Sequence, residues 1–364
     1  MKLKHQLTVR RTVVLTSILA LVLTLAPALA TLPITAAMAV TSPVSAKQPN
    51  PKIPLGSVTT PVPSLGAKSY ILMEAGSGKV LAGSNIHQKR PQASTTKITT
   101  AIVALQLGKP EAKVLISKHA DDTPEEGLWL EPGEQFTLQQ MLYALMLFSA
   151  NDAATAISEH IGAQGMPSGT TPEQAEEHFV SLMNTRAAAI GARDTHYANP
   201  HGLDDPEHYS SAYDLALLAR YGLLKVPGFA GLVSTIKQEL PWVGHPYSRV
   251  LRNRNKLLTS YPGANGVKTG FTDRAGRCLV SSARRGELQL IAVVMDSPDI
   301  FKESASLLDW GYANYQNVKV TDKTSQYGTI KVTAGLKESS TVYPAQSLTF
   351  PVPGKLADGV RIVP

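Results

Sequence analysis

Gly266-Val267-Lys268-Thr269-Gly270, Cys278-Leu279-Val280-Ser281-Ser282-Ala283 and Leu288-Gln289-Leu290-Ile291-Ala292-Val293-Val294-Met295 follow one another closely in the last third of the chain. Each run has strand length, and polar or glycine-containing turns separate them, so three neighbouring strands of one antiparallel sheet are expected. Far upstream, Ser69-Tyr70-Ile71-Leu72-Met73 reads as a buried strand, Gly76-Ser77-Gly78 as a turn, and Lys79-Val80-Leu81-Ala82 as its hairpin partner. Between these ends lie segments with helical periodicity. One starts at Ser94, carries Ile98, Ala101, Ile102 and Leu105 on one face, and stops at Gly108 and Pro110. Others cover 138–147, 153–161, 179–190 (closed by Gly191), 213–224 and 301–315. The expected architecture is α/β (α+β): an antiparallel sheet with flanking helices and an all-helical subregion. It occupies residues 67–318. Short β-like stretches at 327–332 and 347–352 suggest a small or truncated β-rich domain over 319–364.

The N-terminus reads differently. Lys2, Lys4, Arg10 and Arg11 precede the apolar run Thr12–Leu25 and the small residues Ala28-Leu29-Ala30, the order of a secretory signal peptide. Residues 1–30 are therefore assigned to an export signal, with cleavage as late as 46 compatible with the later alanines. Residues 31–66 form a proline-rich leader. The basic N-terminal residues supply four of the seven net positive charges, leaving +3, too little to point to nucleic acid. The single cysteine, Cys278, excludes an internal disulfide and reads as a buried structural residue.

Ser94-Thr95-Thr96-Lys97 carries the chemistry. Residues three apart at a helix start share a face, so the Lys97 amine can stand beside the Ser94 hydroxyl, and a lysine held neutral can act as its base. The tetrad is not unique, because Ser234-Thr235-Ile236-Lys237 has the same spacing. Two further elements separate the pair. Ser149-Ala150-Asn151 is the one Ser-x-Asn of the sequence and lies between two apolar helices. Lys268-Thr269-Gly270 is also unique, and sits on a strand where a glycine lets ligand or backbone come close. A charge and a hydroxyl at Lys268 and Thr269 suit a carboxylate. Ser-x-x-Lys, Ser-x-Asn and Lys-Thr-Gly in this order make the set found in class A β-lactamases and penicillin-binding proteins.

Longer segments narrow the resemblance. Ala93–Ala101, Asn199-Pro200-His201-Gly202-Leu203-Asp204 continued by His208–Asp214, and Tyr261–Gly270 followed by Ala275–Cys278 resemble low-molecular-mass penicillin-binding proteins of the serine D-alanyl-D-alanine carboxypeptidase family. The likeness spans about 67–315 and is nearest to the enzymes of Gram-positive spore formers. It implies a β-lactamase/transpeptidase-like fold and removal of the terminal D-alanine from peptidoglycan stem peptides. It further implies Ser94 as nucleophile, Lys97 as general base and Ser149 as proton donor to the leaving amine. Asn151, Lys268, Thr269 and Gly270 would bind substrate, and the backbone N–H groups of Ser94 and Phe271 would form the oxyanion hole. β-Lactams are the implied covalent inhibitors, and no metal or cofactor is implied. The expected location is outside the cytoplasm: the outer membrane face, by peripheral association, the cell wall, or the medium.

Two departures stand out. Some relatives carry an arginine in the loop after the strand ending at Met295, whereas residues 296–304 here hold only Lys302 as a cation. Residues 342–364 show no amphipathic helical face of the kind that anchors relatives to membranes. A class A-like β-lactamase and a D,D-endopeptidase are the nearest alternatives, and a non-catalytic wall-binding protein is a third. A zinc peptidase using His196, His201 and His208 is disfavoured, because no His-Glu-x-x-His occurs.

Overall fold

The computed structural model describes residues 60–354, apart from 243, 327, 334–337 and 346. The export signal read at 1–30, nearly all of the leader and residues 355–364 lie outside that range.

Strands β1 (Ser69–Glu74) and β2 (Val80–Ser84) form the expected hairpin. A 3₁₀ turn, Ala93–Thr96, leads into α1 (Lys97–Leu107). A short β3 (Lys113–Leu115), α2 (Lys118–Asp121) and β4 (Gln135–Thr137) follow, then α3 (Leu138–Tyr143) and a π turn, Ala144–Phe148. Helices α4 (Asn151–Gly162), α5 (Pro172–Ile190), α6 (Ala212–Lys225) and α7 (Phe229–Ser234) complete the helical region. The hairpin β5 (Lys237–Leu240) and β6 (Arg249–Arg252) and the short α8 (Leu257–Ser260) return the chain to the sheet. There β7 (Ala264–Thr272), β8 (Gly276–Arg285) and β9 (Leu288–Met295) run antiparallel, before α9 (Ile300–Asn314). Strands β10 (Tyr315–Thr321), β11 (Gly328–Lys331), β12 (Ser339–Val342) and β13 (Leu348–Pro353) close the described chain, pairing as β10–β13 and β11–β12.

The main sheet has the order β2-β1-β9-β8-β7, all antiparallel. Its centre, β9, is buried along its whole length, as an apolar run without alternation requires. Period-two alternation divides its side chains between two cores. Ile71, Met73, Ile291 and Val293 face the helical region, while Leu72, Leu290 and Val294 pack with Leu307 and Leu308 of α9. Helix α1 is buried on every side from Lys97 to Ala104, so it is the axis of the helical region rather than a surface helix.

Three elements differ from the sequence reading, each for a local reason. The helix expected from Ser94 begins one turn later, since Ala93, with φ 49°, enters a 3₁₀ turn first. The helix expected over 138–147 changes to π geometry at Ala144 and ends at Ser149, with φ 75°. The helix expected from Phe179 starts at Pro172. A capping box of Thr171 and Gln174 and a proline at the first position nucleate it; its first turn, Pro172–Gln174, is exposed, and its buried stripe begins at Ala175, a small residue among acidic ones, before Phe179.

Helices α4 and α5 meet at Gly162, where an added Cβ would lie 1.9 Å from the carbonyl oxygen of Ala175. Gly162→Ala is expected to destabilise the protein by about 1–3 kcal/mol. Gly231→Ala, with nothing within 4 Å of the new methyl on α7, is expected to be neutral or stabilising by up to about 1 kcal/mol. Chemical denaturation of the two variants checks both.

Candidate active site

Ser94 lies in the 3₁₀ turn and Lys97 opens α1, so the tetrad's two functional groups come from one turn of chain. Lys97 is fully buried, and no carboxylate contacts it. Its Nζ lies 2.8 Å from Ser94 Oγ, 2.7 Å from Asn151 Oδ1 and 2.6 Å from the carbonyl oxygen of His201. Burial, reinforced by the nearby charge of Lys268, holds the Lys97 pKa well below the ordinary lysine range. A neutral amine has two hydrogens and one lone pair. The Asn151 and His201 oxygens accept only, so they take the two hydrogens and the lone pair is left for the Ser94 hydroxyl. That arrangement activates a serine.

The partners of Lys97 are themselves fixed. Asn151 begins α4. Its side-chain amide donates to Pro124 O at 3.0 Å and its backbone N–H to Glu126 O at 2.7 Å, which sets the amide with its oxygen towards Lys97. Asp152 accepts from the N–H groups of Leu128 and Leu130 and pins the same loop. His201 belongs to Asn199-Pro200-His201-Gly202, a segment whose main-chain oxygens grip α1. Pro200 O accepts from Thr100 Oγ1 at 2.6 Å, and Asn199 Oδ1 accepts from Gly202 N. Gly202 has φ 99°, and a Cβ there would lie 2.1 Å from Ala93 O, so only glycine lets this loop reach the Ser94 turn. The His208 ring is buried and neutral, its pKa pushed down to about 4 by burial; its Nε2 lies 2.7 Å from Thr96 Oγ1. These are packing duties. Among the described residues no group of three metal-binding side chains comes together.

The second half of the site is the free edge of β7. Gly270 brings that strand against the nucleophile turn, since a Cβ there would stand 3.0 Å from Ser94 N and 3.1 Å from Thr95 N. Lys268 is buried and donates to Thr269 O at 2.9 Å. Burial first, and then the charge of Arg254, lower its pKa to about 7. Ser94, Ser149, Thr269, Gly270 and Phe271 all line one cavity of about 950 Å³. Ser149 is buried there in the left-handed conformation that ends the π turn. Ser94, Ser149, Thr269, Gly270 and Phe271 thus share one cleft, Lys97 and Asn151 join it through Ser94, and Ser234 stands apart. Its Oγ donates to Gly231 O, and Lys237 pairs with Glu239 instead.

The sequence reading missed the carbonyls of His201 and Pro124, and the Glu126–Arg254 ion pair at the rim. Backbone oxygens have no side-chain signature. The Asn199-Pro200-His201-Gly202 segment carries a resemblance in the sequence, but a string of residues assigns it no role.

An antiparallel sheet whose edge strand faces a cleft-lining serine on a buried lysine, across from a Ser-x-Asn turn, defines a serine peptidase of the β-lactamase/transpeptidase fold. Comparison with known proteins agrees. Residues 57–299 match the peptidase S11 family, D-alanyl-D-alanine carboxypeptidase. The chain is 35% identical to the D-alanyl-D-alanine carboxypeptidase DacF of Bacillus subtilis, over 78% of this chain and 72% of that one. It is 33% identical to DacB2 of Mycobacterium tuberculosis, over 71% and 86%. Among solved structures it resembles penicillin-binding protein 5 from Haemophilus influenzae (TM-score 0.71, 29% identity, 82% of this chain and 86% of that one). It also resembles the Streptomyces K15 DD-transpeptidase (TM-score 0.64, 31% identity, 70% and 100%). The chain belongs to the S11 family of serine-type D-alanyl-D-alanine carboxypeptidases, hydrolases of the low-molecular-mass penicillin-binding class.

Lys268 carries a consequence for stability. Between about pH 7 and about pH 10.5 the unfolded chain binds a proton that folded Lys268 has released, so stability rises with pH across that window. Urea denaturation across this range is expected to show wild type gaining on Lys268→Met as pH rises. A constant difference between the two would contradict the lowered pKa.

Proposed function

We propose that the chain removes the terminal D-alanine of peptidoglycan stem peptides through an acyl-enzyme on Ser94. The observation that carries this reading is the three-way coordination of Lys97 Nζ by Ser94 Oγ, Asn151 Oδ1 and His201 O. Lys97 takes the Ser94 proton as Oγ attacks the carbonyl carbon of the penultimate D-alanine. The developing oxyanion is received by the N–H groups of Ser94 and Phe271, at the meeting of the nucleophile turn and the β7 edge. Ser149 gives its proton to the amine of the departing D-alanine and is reprotonated by Lys97, so the C–N bond breaks and Lys97 is neutral again. Lys97 then takes a proton from water as the water attacks the ester, and returns it to Ser94 Oγ as the ester bond breaks, freeing a stem peptide one residue shorter.

Asn151 holds both Lys97 and the substrate's peptide group. Thr269 and Gly270 receive the peptide along β7, and Lys268 adds positive potential beneath it. A β-lactam, whose strained amide meets the same nucleophile, stops at the acyl stage. The export signal read at 1–30 supports work outside the cytoplasm, at the membrane face or wall. Among the described residues no helix is long and apolar enough to cross a membrane.

Ser94→Ala is expected to abolish both D-alanine release from a peptide ending in D-Ala-D-Ala and covalent labelling by fluorescent penicillin. Ser234→Ala is expected to leave both intact. Labelling that survives in Ser94→Ala would overturn the assignment.

A further inference from the structure

The packing contact between His208 and Thr96 has a direction, and the bonds around it fix that direction. A neutral imidazole carries its one proton on Nδ1 or on Nε2, and the other nitrogen can only accept. Ala198 N donates to His208 Nδ1 at 3.0 Å, so the lone pair is at Nδ1 and the proton at Nε2. Thr96 gives the same answer from the other side. Its hydroxyl hydrogen goes to Ala93 O at 2.8 Å, so towards His208 Nε2, 2.7 Å away, Thr96 Oγ1 can only accept. Its second lone pair receives Gln92 Nε2 at 3.1 Å. The 3.1 Å between Gln92 Nε2 and His208 Nε2 is thus the spacing of two donors that converge on one oxygen. Thr96 Oγ1 is saturated, with one hydrogen given and two received.

That oxygen stands inside the tetrad. Gln92 precedes the 3₁₀ turn, and Thr96 ends it one residue before Lys97. Ala93 is held at φ 49°, a conformation that a non-glycine residue keeps only where its surroundings enforce it. Its carbonyl is the one that Thr96 Oγ1 binds, and Thr95 Oγ1 closes the same turn on Gln92 O at 2.6 Å. Gln92, Thr96 and His208 are all buried, so no water stands ready to replace a lost partner. The 2.8 Å approach of Lys97 Nζ to Ser94 Oγ is made across this turn and depends on its shape.

We infer that His208 is a positioning residue for acylation: its Nε2–H braces Thr96 and so holds the turn that aims Ser94 Oγ. The assignment rests on the acyl-enzyme reading of Ser94. His208 acts through Thr96 and has no part in the proton transfers. Burial keeps the ring neutral against the pull of Asp205 in its own loop, with help from His196, in the bridge to Tyr209, and from Lys97 on α1. The neighbouring His201 ring is kept neutral in the same way. A protonated ring would set an Nδ1 hydrogen against the N–H of Ala198, so the brace belongs to the neutral form alone.

Glutamine and asparagine separate the two bonds of the ring, because a glutamine amide reaches the place of Nε2 and an asparagine amide only that of Nδ1. His208→Gln is expected to hold the rate of acylation by fluorescent penicillin within about threefold of wild type. His208→Asn is expected to lower that rate about tenfold or more, and to lower kcat for a peptide ending in D-Ala-D-Ala with KM little changed. Thr96→Val, which keeps the shape and removes the oxygen, is expected to fall as far, and His208→Asn combined with Thr96→Val no further. Equal losses in the Gln and Asn variants, or losses that add in the combined variant, would mean that the ring only fills space, and either overturns the inference. Nitrogen NMR of wild type reads the tautomer without any variant: a proton on His208 Nε2 is expected, and a proton on Nδ1 overturns the inference. If penicillin labelling is absent from wild type, the underlying acyl-enzyme reading has failed. If wild type is labelled and His208→Asn is labelled as fast, the His208 assignment alone has failed.

Discussion

A lysine amine buried with no carboxylate against it cannot readily keep its proton, and the rest of this structure is arranged around that constraint. Lys97 stands at the head of a helix that is itself enclosed from Lys97 to Ala104. Desolvation disfavours its charged form, and Lys268 on the neighbouring strand adds a like charge. What would elsewhere be an unpaired buried group is satisfied by two oxygens that only accept and by one hydroxyl that can give. Stability and reactivity therefore draw on the same three contacts.

Holding those oxygens in place takes much of the helical region. The Asn199–Gly202 loop is tied to α1 through Thr100, and Gly202 lies against the Ala93 carbonyl. The loop 124–130 is tied to α4 through both the amide and the backbone of Asn151, and through Asp152. On the other side, β7 is an edge strand by its place in the sheet order, and Gly270 lets it come up to the nucleophile turn. An edge presents main-chain groups that no neighbouring strand uses, and an extended peptide can meet them. The cleft is thus a seam between a rigid sheet and a helical region, and each contributes what the other lacks.

The sheet was largely legible. Three apolar runs separated by turns and an earlier hairpin are local signals, and the strands fall within a few residues of where they point. The helices were legible where an apolar period ran from end to end, as in α6. At the start of α5 the apolar stripe opens with the small Ala175 among acidic residues, a weak signal, and the Thr171–Gln174 capping box marks the boundary more clearly. The change from α3 to the π turn has no such marker, because Ala144–Phe148 is apolar under either geometry. In the site, the Ser94 tetrad and its decoy at Ser234 are equivalent as strings. They part in three dimensions, where Lys97 turns inward to Asn151 and Lys237 turns outward to Glu239.

The amino-acid sequence by itself determined the reaction class, the three motifs Ser94–Lys97, Ser149–Asn151 and Lys268–Gly270, and the strands of the main sheet. Those properties reside in side-chain chemistry and short-range spacing. Only the tertiary structure decided which oxygens receive the Lys97 hydrogens and that burial lowers the pKa values of Lys97 and Lys268. A carbonyl is common to every residue, and a pKa belongs to a residue's surroundings.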